Sequence, residues 1–178
     1  KTFIASLTIL SLLAIYLGQV RSHLSDAETR GLVDDLAQCP RLIGELLTDN
    51  TLYRRLARRF YTYDNFLFLG RGINSPVVQE GALKLKEISY IHAEGYSAGE
   101  MKHGPIALID HNMPTLALAP KDVLYDKMVN NIKEVKARDG VVLAVATEGD
   151  IDLADEVDEV IYIPKAPALL IPILSTVP

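Results

Sequence analysis

The sequence feature that most constrains the fold is an alternation of short apolar runs with longer helical segments between residues 65 and 163. The apolar runs, which are predicted strands, lie at 65–69, 115–119, 141–146 and 160–163. Helices are predicted between them over 76–91 and 122–138. Continuous apolar runs are typical of strands covered on both faces, as in parallel sheets. The pattern therefore predicts an α/β fold in which helices flank a parallel sheet.

The chain before residue 63 is predicted to be helical. Helical periodicity and end signals indicate helices over 3–18, 25–38, 40–48 and 50–61. Ser25 is the predicted N-cap of the second helix, and Pro40 opens the third. We interpret a basic cluster in the fourth helix as a solvated face rather than a ligand-binding patch. That cluster consists of Arg54, Arg55, Arg58 and Arg59.

The apolar run at 3–17 raises the question of a membrane span. At about 15 residues it is shorter than the roughly 20 that a spanning helix needs. It also contains polar side chains, and no basic region or small-residue cleavage site of a signal peptide frames it. We therefore expect a buried helix and no membrane partner.

Composition narrows the functional classes. The net charge of −5 argues against nucleic-acid binding, since phosphate-binding surfaces usually carry a basic excess. Cys39 is the single cysteine of the 178 residues, which excludes an internal disulfide and a multi-cysteine metal site. We interpret it as an inert core thiol and expect a reducing, cytoplasmic location.

The first strand ends in the glycine turn Gly70–Ser75, directly before a helix. Backbone amides at a helix N-terminus favour an anion. A plain strand-to-helix turn is an equally good interpretation from the spacing alone. The dinucleotide fingerprint fails because Ser75 stands where its third glycine would be.

The helix after this turn carries a charged stripe at helical spacing, formed by Glu80, Lys84, Glu87 and Ile91. Such a stripe usually forms ordinary surface salt bridges, and spacing alone favours that interpretation. Its charges nevertheless lie close in sequence to the segment 94–105, predicted to be a glycine-rich loop.

That loop contains His103 between Lys102 and Gly104, and a histidine there could act as an acid or base near neutral pH. A histidine without a role is the more common case for a loop. His92 and Glu94 have the spacing of a zinc deaminase motif, but the cysteine pair of that motif is missing, so we expect no metal site.

The string EGALKLKEISYIHAEGYSAGEMKHGP at 80–105, with FLFLGRG before it, closely resembles the sugar isomerase (SIS) domains of glucosamine-6-phosphate synthases. The resemblance is dense over 66–114 and looser to the C-terminus. It implies a flavodoxin-like, three-layer α/β domain. It further implies that 1–62 is a helical linker from a preceding SIS subdomain and that 63–178 is the second SIS subdomain, truncated at its C-terminus.

The resemblance also implies roles for individual residues. Glu87 matches the glutamate that moves a proton between C1 and C2 of the substrate. Lys84 matches the lysine that steadies the developing negative charge, and His103 the histidine that opens the sugar ring in the neighbouring subunit's site. The family thus implies fructose 6-phosphate and glucosamine 6-phosphate as ligands, a homodimer with a shared active site, and no cofactor. It gives Glu80, His92, Glu94 and Lys102 no assigned chemistry.

Three functions follow as expectations. The first is the isomerase part of a glutamine:fructose-6-phosphate amidotransferase, with the phosphate-binding loops outside this chain. The second is an SIS-type sugar-phosphate deglycase or isomerase without a glutaminase domain. The third is a non-catalytic sugar-phosphate-binding module, which the presence of both Glu87 and His103 disfavours.

Overall fold

The computed structural model describes residues 2–178. Its helices are α1 (Thr2–Val20), α2 (Asp26–Thr48), α3 (Thr51–Phe60), α4 (Asn74–Ser89), α5 (Tyr125–Lys136), α6 (Ile151–Ala154) and α7 (Ile171–Leu174). Its strands are β1 (Asn65–Gly70), β2 (His92–Ser97), β3 (Thr115–Ala119), β4 (Val142–Thr147) and β5 (Glu159–Ile163). Two 3₁₀ helices, Ala98–His103 and Pro105–Leu108, follow β2.

The strands form one parallel sheet of five strands in the order β2-β1-β3-β4-β5. This order is the flavodoxin-like one, in which the chain changes direction between β1 and β3. The predicted parallel α/β fold is therefore confirmed. Because β1 and β3 are central strands, they carry the buried apolar runs that the sequence pattern indicated.

The two faces of the sheet build two separate cores. Phe66 and Phe68 point to the face covered by α4 and the N-terminal helices, where Val78 and Ala82 pack. Alternate residues of the same strand, such as Leu69, point to the opposite face, which is covered by α5. The period of two along a strand explains this division. The result is the predicted three-layer arrangement.

The N-terminal region contains one helix where two were predicted. The segments 25–38 and 40–48 form the continuous helix α2, with Pro40 inside it. Pro40 itself is exposed and removes one hydrogen bond, to the carbonyl of Leu36, while Leu36, Cys39 and Leu42 are buried and hold α2 together by packing. The prediction for Ser25 is confirmed: Ser25 and Glu28 form a reciprocal capping box at the start of α2.

Helix α1 differs from the buried helix that was predicted. It spans 19 residues, and within residues 2–178 it is the one helix long and apolar enough to cross a membrane by length and composition. Ile15 is buried, whereas Leu10, Tyr16 and Val20 are exposed. Burial of this helix within the chain was thus a wrong prediction, because α2 covers one side of it and leaves the rest open.

The segment predicted as a glycine-rich loop is largely regular. Its first part is β2, the edge strand, which pairs in parallel with β1 from Asn65–His92 to Gly70–Ser97. Glycine and charged residues hid this strand, because an edge strand needs a continuous apolar run far less than a central strand does. The predicted helix over 167–176 is shorter, at Ile171–Leu174, and α6 was not predicted.

Two of the clustered arginines make a structural contact. Arg55 donates two hydrogen bonds to Glu159, at 2.6 and 2.7 Å, and Arg59 also pairs with that carboxylate. The hydrogen bonds from Arg55, followed by those from Arg59, lower the pKa of Glu159 despite its burial. These contacts fasten α3 to the start of β5.

Candidate functional site

Lys84 and Glu87, here called the α4 pair, lie on the exposed side of α4. The Lys84 ammonium lies 2.5 Å from a Glu87 carboxylate oxygen and 3.7 Å from Glu80. About half of each side chain of the pair is exposed, whereas that of Glu80 is 17% exposed. The hydrogen bond to Glu87 raises the pKa of Lys84, so Lys84 is held as a cation. The predicted stripe is therefore a real cluster of charges.

His103 ends the 3₁₀ helix Ala98–His103, here called the His103 segment. Its imidazole is 75% exposed and lies 3.9 Å from the Glu100 carboxylate. Gly104 follows with φ +156°, and a Cβ at this position would meet open space. The histidine is therefore displayed on the surface of this chain.

The structure separates the α4 pair from His103. Helix α4 begins at the carboxyl end of β1 and runs back toward the amino end of β2, so Glu87 lies about 20 Å along the helix from Asn74. The His103 segment follows the carboxyl end of β2. The three predicted site residues thus lie toward opposite ends of the sheet and do not form one site within residues 2–178.

Two glycines of the motif make room for contacts within the chain. A Cβ at Gly95 would lie 2.6 Å from the Gln79 Cα, so β2 approaches the backbone of α4 at this point. A Cβ at Gly99 would lie 3.3 Å from the Arg71 guanidinium. A glycine at 95 is thus explained by close packing of the strand on the helix, without a ligand or a partner chain.

The glycine turn after β1 is tightly packed. A Cβ at Gly70 would lie 2.5 Å from the Asn74 carbonyl oxygen. Ile73 precedes α4 at the N-cap position and makes no side-chain capping hydrogen bond. Close packing of strand and helix accounts for the glycine, which favours a structural turn over an anion site.

The carboxyl edge of the sheet near this turn is filled by internal polar contacts. The Lys121 ammonium lies 3.3 Å from the buried carboxylate of Asp150, and the side chain of Asn74 donates to Asp122 at 3.0 Å. The negative charges of Asp122 and Asp150 at this edge disfavour a phosphate at the same place. That the phosphate-binding loops lie outside this chain stays a prediction.

One face of the sheet contains an apolar cavity of about 390 Å³. Its walls come from α3, α4, the central strands and residues 175–178, and Glu80 and Lys84 are among the lining residues. The charges of Glu80 and Lys84 beside this apolar wall make the cavity a suitable place for electrostatic catalysis once water is excluded.

The sequence reasoning missed the contacts that hold the motif's unassigned residues. Tyr96 donates to Glu94 at 2.6 Å, and this bond raises the pKa of Tyr96. Lys102 pairs with Glu134 of α5 at 2.8 Å. Partners so distant in sequence leave no spacing signal, so local periodicity could not have found the second contact.

Metal and thiol chemistry find little support. In residues 2–178, no group of three His, Cys, Asp or Glu side chains is arranged to hold a metal ion. Cys39 of α2 is buried in the hydrophobic core, and burial raises the pKa of its thiol. A thiol in that setting is a poor nucleophile.

Fold and surface together define a flavodoxin-like α/β domain with a charged helix face and an exposed histidine at the opposite end of its sheet. Residues 60–178 match the SIS domain family model, and the chain belongs to that family.

The relatives share one name. The chain is 48% identical, over all its 178 residues, to a glutamine–fructose-6-phosphate aminotransferase (isomerizing) from Thermus thermophilus, of which it covers 30%. It is 46% identical over 177 residues to the enzyme of that name from Methanosarcina acetivorans, covering 29% of it. The C-terminal domain of the Francisella tularensis glucosamine-fructose-6-phosphate aminotransferase superposes with a TM-score of 0.86 at 34% identity. That match covers 93% of this chain and 46% of the other. The chain thus spans about a third of the length of the curated relatives.

Proposed function

We propose that this chain is the isomerase part of a glutamine–fructose-6-phosphate aminotransferase, which forms glucosamine 6-phosphate from fructose 6-phosphate and glutamine-derived ammonia. The α4 pair carries the proposal, because it places a carboxylate and a held cation 2.5 Å apart on an exposed helix face, and Lys84 of the pair lines the apolar cavity. The relatives' shared name favours this function over a deglycase without a glutaminase domain.

In the proposed reaction, Glu87 is the acid–base group. As a carboxylate it removes the proton from C1 of the open-chain imine of fructose 6-phosphate and then delivers that proton to C2, while the C1 hydroxyl proton passes to the imine nitrogen, so that C1 becomes the aldehyde and C2 carries the amine. Lys84, whose pKa is raised, keeps its positive charge beside the negative charge that develops between these two steps. No proton is gained or lost overall, and a cofactor is not required.

His103 is proposed to open the sugar ring in the active site of a second subunit. Its exposure of 75% and its position away from the α4 pair suit a residue that serves a neighbouring molecule. A symmetric homodimer would then contain two sites, each with Glu87 from one subunit and His103 from the other.

The domain boundaries remain part of the proposal. Residues 1–62 would link a preceding SIS subdomain, which would cover the exposed side of α1, and 63–178 would be the second subdomain. The sugar phosphate would be gripped outside this chain. We propose a cytoplasmic enzyme without nucleic-acid or membrane partners, in keeping with a net charge of −5 and one cysteine.

The test is Glu87→Gln in the full-length protein, with hydrolysis of glutamine and formation of glucosamine 6-phosphate measured side by side. Amino-sugar formation should fall about 10²- to 10⁴-fold because the proton carrier is lost, while hydrolysis of glutamine persists. Lys86→Met, on the same helix, is the matched control. Unchanged synthesis by Glu87→Gln would remove the acid–base assignment.

A further inference from the structure

A continuous line of polar contacts joins the glycine turn to the His103 segment through α5. Arg71 donates to Asn131 at 2.7 Å, and Asn131 donates to Glu134 at 3.3 Å. The other oxygen of Glu134 lies 2.8 Å from the Lys102 ammonium. These four residues, here called the polar chain, are Arg71, Asn131, Glu134 and Lys102.

The polar chain is buried at its centre and exposed at the end that carries Lys102. Asn131 is 6% exposed, so its amide relies on protein partners at both ends. Glu134 is partly buried, with 28% of its side chain exposed, and Lys102 is 60% exposed. A pair with one partly buried partner is more strongly oriented than a fully exposed one.

The inner and outer sides of the His103 segment are held by different contacts. Ala98 and Met101 are fully buried and anchor its inner side, and Arg71 lies beneath Gly99. The outer side carries Lys102 and His103 in succession. Lys102 therefore ties the outer side of the segment, next to the histidine, to α5 through Glu134.

We propose that the polar chain is a positioning device that sets the direction in which His103 is presented. This inference rests on the proposed ring-opening role of His103. None of the four residues needs to touch the substrate, and each acts through the orientation of the segment. A misplacement of about 1 Å in a catalytic group can cost on the order of 100-fold in rate.

The test uses two substrates that differ in the need for ring opening. Fructose 6-phosphate is largely cyclic, whereas 5-deoxyfructose 6-phosphate lacks the hydroxyl that closes the ring and stays open. The ratio of kcat/KM for the two substrates, measured by amino-sugar formation in the full-length protein, reports ring opening alone. His103→Ala gives the reference loss of that ratio.

Glu134→Gln keeps the shape of the side chain and removes its charge. We expect it to lower kcat/KM for the cyclic substrate by about 10-fold or more, with the open-chain substrate within about twofold of wild type. Lys102→Met should have the same selective effect, and the exchanged pair Lys102→Glu with Glu134→Lys should restore part of it.

Glu156→Gln is the matched control. It breaks a 2.9 Å ion pair that Lys133 of the same helix makes with Glu156, away from the His103 segment. It should leave the substrate ratio unchanged. Because the Lys102 side chain is well exposed, Lys102→Met keeps the test decisive if Glu134→Gln fails to fold.

The outcomes separate the two hypotheses. The positioning role alone is overturned if His103→Ala is selective for the cyclic substrate but Glu134→Gln and Lys102→Met are not. Those two variants would then lose activity equally on both substrates or lose none. An unselective His103→Ala would overturn the ring-opening role, and the positioning inference with it.

Discussion

The α4 pair and the His103 segment differ in what holds them in place. Lys84 and Glu87 are three residues apart on one helix, and their contact is set by the helix itself. His103 ends a short 3₁₀ helix that is oriented by buried anchors and by Lys102, whose partner is on α5. A regular helix thus supplies one part of the proposed site, and long-range contacts supply the other.

This difference has a consequence for tolerance to change. Weakening contacts elsewhere in the domain should leave the geometry of the α4 pair nearly intact for as long as α4 is folded. The His103 segment should respond to changes in α5 and in the turn after β1, far away in sequence. The predictions below follow this contrast from the largest expected effect to the smallest.

The largest effect is expected from mixing two inactive variants of the full-length protein, Glu87→Gln and His103→Ala. If the two regions serve one site across a dimer, each hybrid contains one intact site and one doubly defective site. Activity should rise from near zero to about a quarter of wild type at equal mixing. The dimers are verified as hybrid by mass spectrometry. If their activity stays at the level of the separate variants, Glu87 and His103 do not serve one site across the dimer.

The next effect concerns the packing of β2, the strand that leads into the His103 segment, against α4. Gly95→Ala would place a Cβ 2.6 Å from the Gln79 Cα, and backbone on both sides has little freedom to move. We expect a loss of about 1–3 kcal/mol in the free energy of unfolding, measured by urea denaturation.

Gly44→Ala is the control for this substitution. It lies within α2, where the added methyl would meet open space, and should stabilise by up to about 1 kcal/mol. A Gly95→Ala variant as stable as wild type would show that β2 and α4 can separate at little cost.

The smallest effect concerns Glu159, which joins α3 to β5 and is remote from both regions. Its pKa is lowered in the folded state, first by the hydrogen bonds from Arg55. Its contribution to stability is therefore present above the ordinary glutamate pKa and is lost as the pH falls through the lowered value. Glu159→Gln should cost about 1 kcal/mol at pH 7, since both arginines are partly exposed.

Thermal unfolding across an acid titration checks this sign. The difference in stability between wild type and Glu159→Gln should shrink as the pH is lowered below the ordinary glutamate range. A difference that stays constant down to acid pH would mean that the ion pairs of Glu159 contribute no pH-dependent stability. Amino-sugar formation at pH 7 should stay unchanged, because neither the α4 pair nor the His103 segment is touched.

Much of the fold could be predicted because it depends on local patterns. The apolar runs of β1, β3 and β4 were visible, and so was the capping box at Ser25. The edge strand β2 was missed, because glycine and charge replaced the apolar run that marks a central strand. Pro40 was misjudged as a boundary, because the packing of the buried residues on both sides of it, which holds the helix together, depends on the tertiary structure.

By itself, the sequence determined the parallel α/β architecture and the α4 pair, since strand periodicity and i, i+3 spacing are properties of neighbouring residues. The tertiary structure decided that His103 lies away from that pair, that Gly95 serves strand–helix packing, and that Lys102 meets Glu134. Those facts depend on the order of strands in the sheet and on side chains brought together from distant positions. No local pattern in the sequence encodes such distances, because they arise only when the layers of the domain pack.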